Sequence, residues 1–340
     1  MDEQFERLLA LEAISGFEDP VREYLIEQTA GYGQQQVDAM GNLTVTVGEG
    51  EPSLLIVAHM DEVGMLITGT TPDGYLHFQK IGTIDDQLLP GRVVTVHTTA
   101  GARPGVIGSR PPHLGGSKNA SVENLVIDVG AASSDEAKSL GFGVLQPVTF
   151  RKEIRELGPN RVNCRGLDDR AGCYVVLKAL EHAAKSSATG RVTFAWSVQE
   201  EVGLRGAAAL AQSAKYDFVA PVDAFATTDA PDHPRHIAYV PLGKGPVLRM
   251  VDHGAIASRI FGRALVDLAR HHSIPLQVGA TGGETDGKPL QEAGGHMVPI
   301  ALPMRYLHSL AETADMRDIR NAIRLIGKLL DELSNLKELK

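Results

Sequence analysis

The amino-acid sequence predicts an α/β fold, in which a mixed sheet is flanked by helices and a small β-rich domain is inserted into the chain. Three observations lead to this prediction. The 340 residues, 43% of them hydrophobic, can bury a large core and correspond to about two domains. Apolar strand-like runs alternate with helix-like segments up to residue 66 and again from residue 159. Residues 67–158, between them, contain short β-rich runs separated by turns.

The first part of the chain predicts two helices and two strands. Apolar residues at helical spacing lie within residues 2–14, and Ser15-Gly16 interrupts that helix. Asp19 is the expected N-cap of the second helix, with Pro20 in its first turn. Strands are expected at residues 42–47 and 54–58.

The later part of the chain continues the alternation. Helices are expected at residues 169–184, 207–214, 255–271 and 314–336, and strands at 191–198, 223–228 and 297–302. Such alternation predicts a sheet with helices on both faces. We therefore assign residues 1–66 and 159–340 to the α/β domain and residues 67–158 to the inserted domain.

Composition excludes several classes of protein. The net charge of -9 and the absence of a Lys/Arg run argue against a nucleic-acid partner. No apolar stretch approaches the roughly 20 residues of a membrane helix, so we expect no membrane partner. With only two cysteines, Cys164 and Cys173, and an acidic start without the regions of a signal peptide, the chain is expected to be cytoplasmic with reduced thiols.

A histidine and a carboxylate, His59 and Asp61, follow the strand predicted at residues 54–58. Side chains at i and i+2 of an extended segment share a face, so we expect His59 to bind a metal ion while Asp61 orients its ring from behind. Further candidates follow other strands, where an open α/β sheet binds its ligands. They are Glu200, Glu201, Asp229 and His308, together with Asp168 near a helix N-terminus, where it is able to span two metals.

Two histidines with Asp and Glu carboxylates suit zinc or cobalt, and the set predicts a two-metal hydrolase. Such a site still requires a base that accepts a proton and passes it to the leaving amine. Neighbours in an extended segment point apart, so we expect Glu201 to be a ligand and Glu200 to be the base. Each residue alone also has an ordinary explanation: carboxylate pairs occur at solvated helix starts, Asp229 could be a turn residue, and His308 could lie in a loop. Their shared position at strand ends favours the metal site.

These residues resemble the tetrahedral or glutamyl-type metallo-aminopeptidases, a family also called cellulase-like. The resemblance spans nearly the whole chain and rests on the following segments: Ala58-His59-Met60-Asp61-Glu62-Val63-Gly64, Gly105-Val106-Ile107-Gly108, Leu167-Asp168-Asp169-Arg170-Ala171-Gly172-Cys173, Gln199-Glu200-Glu201-Val202-Gly203-Leu204-Arg205-Gly206-Ala207, Gly243-Lys244-Gly245-Pro246 and Arg305-Tyr306-Leu307-His308-Ser309. Two segments depart from the family pattern. Gly282-Gly283-Glu284-Thr285-Asp286 stands for Gly-Gly-Thr-Asp, and Leu310-Ala311-Glu312 stands for Pro-Val-Glu.

The resemblance implies a zinc-peptidase-like catalytic domain and a barrel-like inserted domain that serves in oligomerisation, often as a dodecamer. It implies two divalent metal ions per subunit, with zinc ahead of cobalt, and substrates that are peptides with a free N-terminus. It also implies that the Asp168-Asp169 peptide bond is cis and that Asp61 acts as an orienting residue. In the implied site, His59 and Asp229 hold one metal, Glu201 and His308 hold the other, Asp168 bridges them, and Glu200 is the general base.

Two other functions are weighed against an aminopeptidase. A glycoside hydrolase needs two carboxylates across a sugar and has no use for His59 and His308. A metal-dependent scaffold without activity has no use for the spare carboxylate of Glu200, because a closed structural site needs no base. Substrate preference is open: Arg249 could reach an acidic side chain, but a surface-exposed arginine is the favoured interpretation.

Overall fold

The computed structural model describes residues 1–114, 121–186, 190–231, 233–236 and 238–339. The described residues form a large mixed sheet flanked by helices and a closed antiparallel barrel, which confirms the predicted fold class. The large sheet has the order β1-β2-β12-β3-β13-β17-β18-β11-β10, with β14, β15 and β16 attached beside it. Its strands are β1 Gln34–Val37, β2 Leu43–Val47, β3 Ser53–His59, β10 Arg155–Leu157, β11 Arg161–Asn163, β12 Arg191–Ser197, β13 Phe218–Ala226, β14 Val247–Val251, β15 Gln277–Ala280, β16 His296–Met297, β17 Ile300–Arg305 and β18 Thr313–Asp315.

The barrel strands follow the order β4-β5-β8-β7-β6-β9, and β9 pairs with β4 to close the barrel. They are β4 Gly64–Thr70, β5 Leu76–Ile81, β6 Val93–Thr98, β7 Gly101–Ile107, β8 Ile127–Asp128 and β9 Pro147–Phe150. The barrel has its own apolar core, which includes Ile67, Phe78, Val96 and Val148. It begins at Gly64 and ends at Phe150, whereas the sequence places the insertion at residues 67–158. Strand β10, at the end of that range, pairs with β11 in the large sheet.

The helices are α1 Glu3–Ala10, α2 Asp19–Thr29, α3 Ser134–Ser139, α4 Leu167–Ala183, α5 Arg205–Ser213, α6 Arg259–His271, α7 Gly287–Glu292 and α8 Met316–Asp331. Strand β3 shows why the sheet is covered on both faces, because all of its residues are buried. Leu54 and Ile56 belong to the main core cluster with α4, whereas Leu55 and Val57 pack with residues of α5 and α7. Alternate side chains of a strand point to opposite faces, so each face needs its own helices.

Three parallel strands at the centre of the sheet bring the candidate residues to one edge. Ser197 of β12 pairs with His59 of β3, and Pro221 of β13 pairs with Val57 of β3. The carboxyl ends of these strands therefore lie side by side, where an open α/β sheet binds its ligands. Among the described residues, no helix is both long and apolar enough to cross a membrane.

Candidate metal centre

Side chains from five parts of the fold meet at this edge of the sheet. His59 is the last residue of β3, and Asp223 lies level with it on β13 because Pro221 pairs with Val57. Glu200 and Glu201 follow β12, Asp168 lies at the start of α4, and His308 follows β17. These six side chains form two groups of metal-ligand type, with the ligand atoms of each group within 4.8 Å of one another.

The first group consists of Asp168, Glu201 and His308. The Nε2 atom of His308 lies 3.3 Å from Oε2 of Glu201 and 3.5 Å from Oδ2 of Asp168. The left-handed backbone of His308, with φ of 56°, turns this ring toward the carboxylates.

The second group consists of His59, Glu200 and Asp223. The Nε2 atom of His59 lies 3.9 Å from Oδ1 of Asp223 and 4.0 Å from Oε2 of Glu200. It also lies 3.2 Å from Oδ1 of Asp168. Since Oδ2 of Asp168 faces His308, one carboxylate joins the two groups through its two oxygens, which is the arrangement a bridging ligand requires.

The structure brings Asp223, and not Asp229, to this edge. The Asp229 carboxylate accepts hydrogen bonds from Nη2 of Arg305 at 2.8 Å and from the Leu242 amide at 3.1 Å. Although burial opposes it, the bonds from Arg305 and Leu242 lower the pKa of Asp229. Asp229 belongs to none of the metal-ligand groups found among the described residues. The structure therefore groups Asp223, and not the predicted Asp229, with the other candidate ligands.

A signal for Asp223 is present in the sequence. It is the one charged residue within the apolar strand Phe218–Ala226, and the residue is 6% exposed. A buried carboxylate in the middle of a strand is costly unless something binds it. Asp229, six residues later, follows the strand predicted at residues 223–228, which is where an open α/β sheet is expected to bind its ligands.

Asp61 has a wider role than orienting one ring. The Nδ1 atom of His59 lies 3.2 Å from the backbone oxygen of Asp61 and 3.5 Å from its Oδ1. The buried Asp61 carboxylate also accepts the amides of Glu200 at 3.0 Å and Glu201 at 3.1 Å, and the Ser15 hydroxyl at 2.6 Å. Asp61 thus fixes the backbone from which Glu200 and Glu201 reach separate groups.

The charges of the centre are unbalanced among its own side chains. Burial, and to a lesser degree the neighbouring Asp168, raises the pKa of Asp223 to about 6 and that of Glu201 to about 8, although histidines oppose both shifts. Burial opposes charging of His308, but Asp168 and Glu201 raise its pKa to about 10. Burial also raises the pKa of Glu200 well above its usual range, with Asp223 and Glu201 adding to the effect. Imidazole nitrogens and crowded carboxylates that favour added positive charge are a donor set that suits divalent cations.

Two further aspartates line the back of the centre. The Asp168-Asp169 peptide bond is cis, which confirms that expectation, and Oδ2 of the buried Asp169 accepts the His59 amide at 3.3 Å. Asp286, which belongs to one of the segments that depart from the family pattern, accepts a hydrogen bond from the Ser197 hydroxyl. Burial raises the pKa of Asp286 to about 7. The departure therefore lies next to the centre.

The centre opens into a cleft of about 480 Å³. Besides the centre's own residues, its walls include Thr83, Leu204, Arg249, Gly282, Glu284 and Leu307. Arg249 is buried, which corrects its interpretation as a surface residue. Its Nε atom lies 2.9 Å from Oδ2 of Asp252, and its Nη2 donates to the Gly282 oxygen at 2.9 Å. Arg249 therefore stabilises the cleft wall.

Comparison with known proteins gives one family. The family model for the M42 glutamyl aminopeptidases matches residues 41–325. A solved structure of the Pyrococcus horikoshii TET1 peptidase, described as able to assemble into a tetrahedron or a large octahedral shell, is 40% identical with a TM-score of 0.90, over 97% of this chain and 99% of that chain. A lysyl aminopeptidase of Pyrococcus furiosus is 28% identical over 97% of each chain. A glutamyl aminopeptidase of Lactococcus lactis is 29% identical over 98% of each.

Proposed function

The chain belongs to the M42 glutamyl aminopeptidase family and is a metal-dependent peptide hydrolase, and we propose that the centre at the edge of its sheet removes N-terminal residues from peptides. The observation that carries this proposal is the pair of ligand groups joined by Asp168. Neither group alone accounts for the excess of buried carboxylates around two histidines.

We assign the residues of the centre to two cations. His59 and Asp223 would hold one, Glu201 and His308 would hold the other, and the two oxygens of Asp168 would serve both. When bound, a pair of divalent cations lowers the pKa of water and polarises the scissile carbonyl group. Zinc is the first choice and cobalt the second, because nitrogen and carboxylate ligands accept both ions.

Glu200 is the proposed general base. Its carboxylate lies 4.0 Å from His59 at the edge of the cleft, and Asp61 holds its backbone amide. From there it would accept a proton from the attacking water and donate it to the departing amine, which requires an acceptor within reach of both atoms. The raised pKa of Glu200 makes its carboxylate a stronger base for the proton of the attacking water.

We also propose a homo-oligomer, with a dodecamer as its form and the inserted barrel as a contact surface. The tetrahedron formed by the Pyrococcus horikoshii relative supports this proposal. The preferred N-terminal residue is a separate question, because relatives that are 28% and 29% identical carry the names of a lysyl and a glutamyl enzyme, respectively. A cytoplasmic location stays a prediction from the sequence.

Glycoside hydrolysis and a scaffold role gain no support from the centre. Both histidine rings, those of His59 and His308, lie within 4 Å of carboxylate oxygens at the centre. A glycosidase that uses two carboxylates has no role for these rings. A closed structural metal site would leave Glu200 unexplained.

Cleavage of matched substrates tests the function. We expect the purified protein to hydrolyse leucyl, glutamyl or lysyl anilides with a free amine and to leave their N-acetylated counterparts intact. Dialysis against a chelator should abolish turnover, and zinc or cobalt should restore it, with mass spectrometry of the native protein showing two ions per chain. Turnover that survives complete removal of metal, or equal cleavage of acetylated substrates, would contradict the proposal.

A further inference from the structure

Glu312 is a buried carboxylate that none of the assigned roles includes. Its residue is 2% exposed and directly precedes β18. One oxygen, Oε2, accepts the backbone amide of Asp168 at 3.2 Å, and the other, Oε1, accepts the backbone amide of His308 at 3.0 Å. Asp168 and His308 lie far apart in the sequence, and both belong to the first ligand group.

We propose that Glu312 is a positioning residue for the cation assigned to Asp168, Glu201 and His308. This inference rests on the proposed function. Because each oxygen of one rigid carboxylate holds one backbone amide, Glu312 fixes the separation of two ligand-bearing segments. Both segments have irregular backbones: His308 is left-handed, and Asp168 has non-helical angles within α4. Neither is held in place by a regular helix or strand at that point.

The turn that carries Glu312 is itself fixed. The Glu312 backbone oxygen accepts the Cys164 amide at 3.0 Å and Nδ2 of Asn163 at 3.1 Å. Nδ2 of Asn163 also donates to the Ala311 oxygen at 2.7 Å. The next residue, Thr313, pairs with Asn163 of β11 and with Arg305 of β17. Glu312 is therefore held in place by the sheet, and it in turn holds two ligand segments that lie outside the sheet.

Glu312→Gln is the informative substitution, because it keeps the length of the side chain. A glutamine offers one acceptor oxygen and one NH₂ group, and the NH₂ group would face a backbone N–H that it cannot bond. One of the two ligand segments is then released. Loss of a partner that orients a metal ligand typically lowers metal affinity about 10- to 100-fold.

Asp318 provides a matched control. It is a 1% exposed carboxylate that also accepts two backbone amides, from Gly243 at 2.6 Å and Gly245 at 2.7 Å. It belongs to none of the described metal-ligand groups. Asp318→Asn therefore makes the same chemical change where no cation is proposed.

The experiment is calorimetric titration of zinc into chelator-treated protein, with thermal unfolding of the same samples. Wild type should bind two ions. Glu312→Gln should bind at least one ion about 10- to 100-fold more weakly, because it releases either His308, which serves one cation, or Asp168, which serves both. Asp318→Asn should retain both affinities while its melting temperature falls. At saturating zinc, Glu312→Gln should lower kcat more than it raises KM.

Two outcomes have separate meanings. If Glu312→Gln and wild type have the same zinc affinities, and Glu312→Gln loses only thermal stability, as Asp318→Asn does, this inference is overturned while the proposed function stands. If wild type binds no zinc, the proposed function fails and the inference falls with it. Should Glu312→Gln not fold, Glu312→Asp takes its place, because the shorter carboxylate keeps the charge but cannot reach both amides; unchanged affinities there would equally overturn the inference.

Discussion

Two buried charge clusters begin almost side by side on the chain and have opposite charge balance. The metal centre starts at His59 and gathers four carboxylates around two histidines. The second cluster, here the junction cluster, surrounds Glu62 where the chain enters the barrel. In it Lys152, Arg165 and Arg170 all pair with the single Glu62 carboxylate.

The pKa values of the carboxylates in the two clusters are shifted in opposite directions. Burial opposes ionisation of Glu62, yet Arg165, Lys152 and Arg170 lower its pKa to about 2. In the metal centre, burial and neighbouring carboxylates raise the pKa of Glu201 to about 8. Buried charges are tolerated when paired and are costly when they are not. In the junction cluster, side chains of the protein supply the cations that pair with the buried carboxylate. In the metal centre, the carboxylates have too few such partners, and cations from solution would bind there.

The largest expected effect is on turnover. Glu200→Gln should lower kcat by about 10²- to 10⁴-fold, because general base catalysis contributes that much. Both metals should remain, and the free energy of unfolding of the metal-free protein should not fall, since the change removes one uncompensated carboxylate. Steady-state kinetics on aminoacyl anilides, metal analysis and urea unfolding measure the three quantities. A variant with activity within a few-fold of wild type would remove Glu200 from the mechanism.

The same substitution in the junction cluster should have the opposite effect on stability. Glu62→Gln removes the carboxylate that three buried cations share and, among the described residues, leaves only Arg165 with another carboxylate, that of Glu12. Breaking a buried pair in this way costs about 3–5 kcal/mol. The zinc content should not change. Urea unfolding of metal-free wild type and variant measures the difference. An equally stable Glu62→Gln would show that the two clusters do not differ as described.

Acid should remove the contribution of Glu62 to the free energy of unfolding. Its folded pKa of about 2 lies below its ordinary value of 4.5, so its contribution is fully present above pH 4.5 and is lost as the pH falls toward 2. The shift corresponds to about 3 kcal/mol. The difference in unfolding free energy between wild type and Glu62→Gln should therefore shrink between pH 5 and pH 2. A difference that is constant over this range would assign the effect to packing instead.

A pair of aspartates tests the corrected ligand. Asp223→Asn should weaken zinc binding by at least about 100-fold, since loss of a mere supporting partner can cost that much. Asp229→Asn should keep both zinc affinities and cost about 1–3 kcal/mol of stability, because Arg305 loses a charged partner. Zinc titration of both variants distinguishes them. Weakened zinc binding by Asp229→Asn alone would restore the original assignment.

Much of the fold could be predicted from local sequence patterns. The elements that were not predicted are those without such a pattern. Strand β3 and helix α4 were recognisable because long apolar runs have few alternatives. Strand β1, Gln34–Val37, is exposed throughout and carries no apolar alternation, so nothing in its sequence distinguished it from a loop. Its pairing with β2 is what makes it a strand.

For the centre, residue types and strand ends pointed to His59, Asp168, Glu200, Glu201 and His308, which the structure brings together. The choice between Asp223 and Asp229 depended on register, because only the pairing of β13 with β3 puts Asp223 level with His59. The hydrogen bonds that the Asp61 carboxylate accepts from the amides of Glu200 and Glu201 could not be predicted either, because every residue except proline has a backbone amide.

The sequence by itself determined the alternation of strands and helices, the presence of an inserted β-rich domain, and the chemical types of the candidate ligands, because these depend on neighbours within a few residues. Only the tertiary structure decided which aspartate joins the centre, which carboxylates receive cations from the protein, and that Glu312 holds two ligand segments at once. Those outcomes depend on contacts between residues far apart in the sequence, such as Glu312 and Asp168, which are 144 positions apart, and such contacts exist only after the chain has folded.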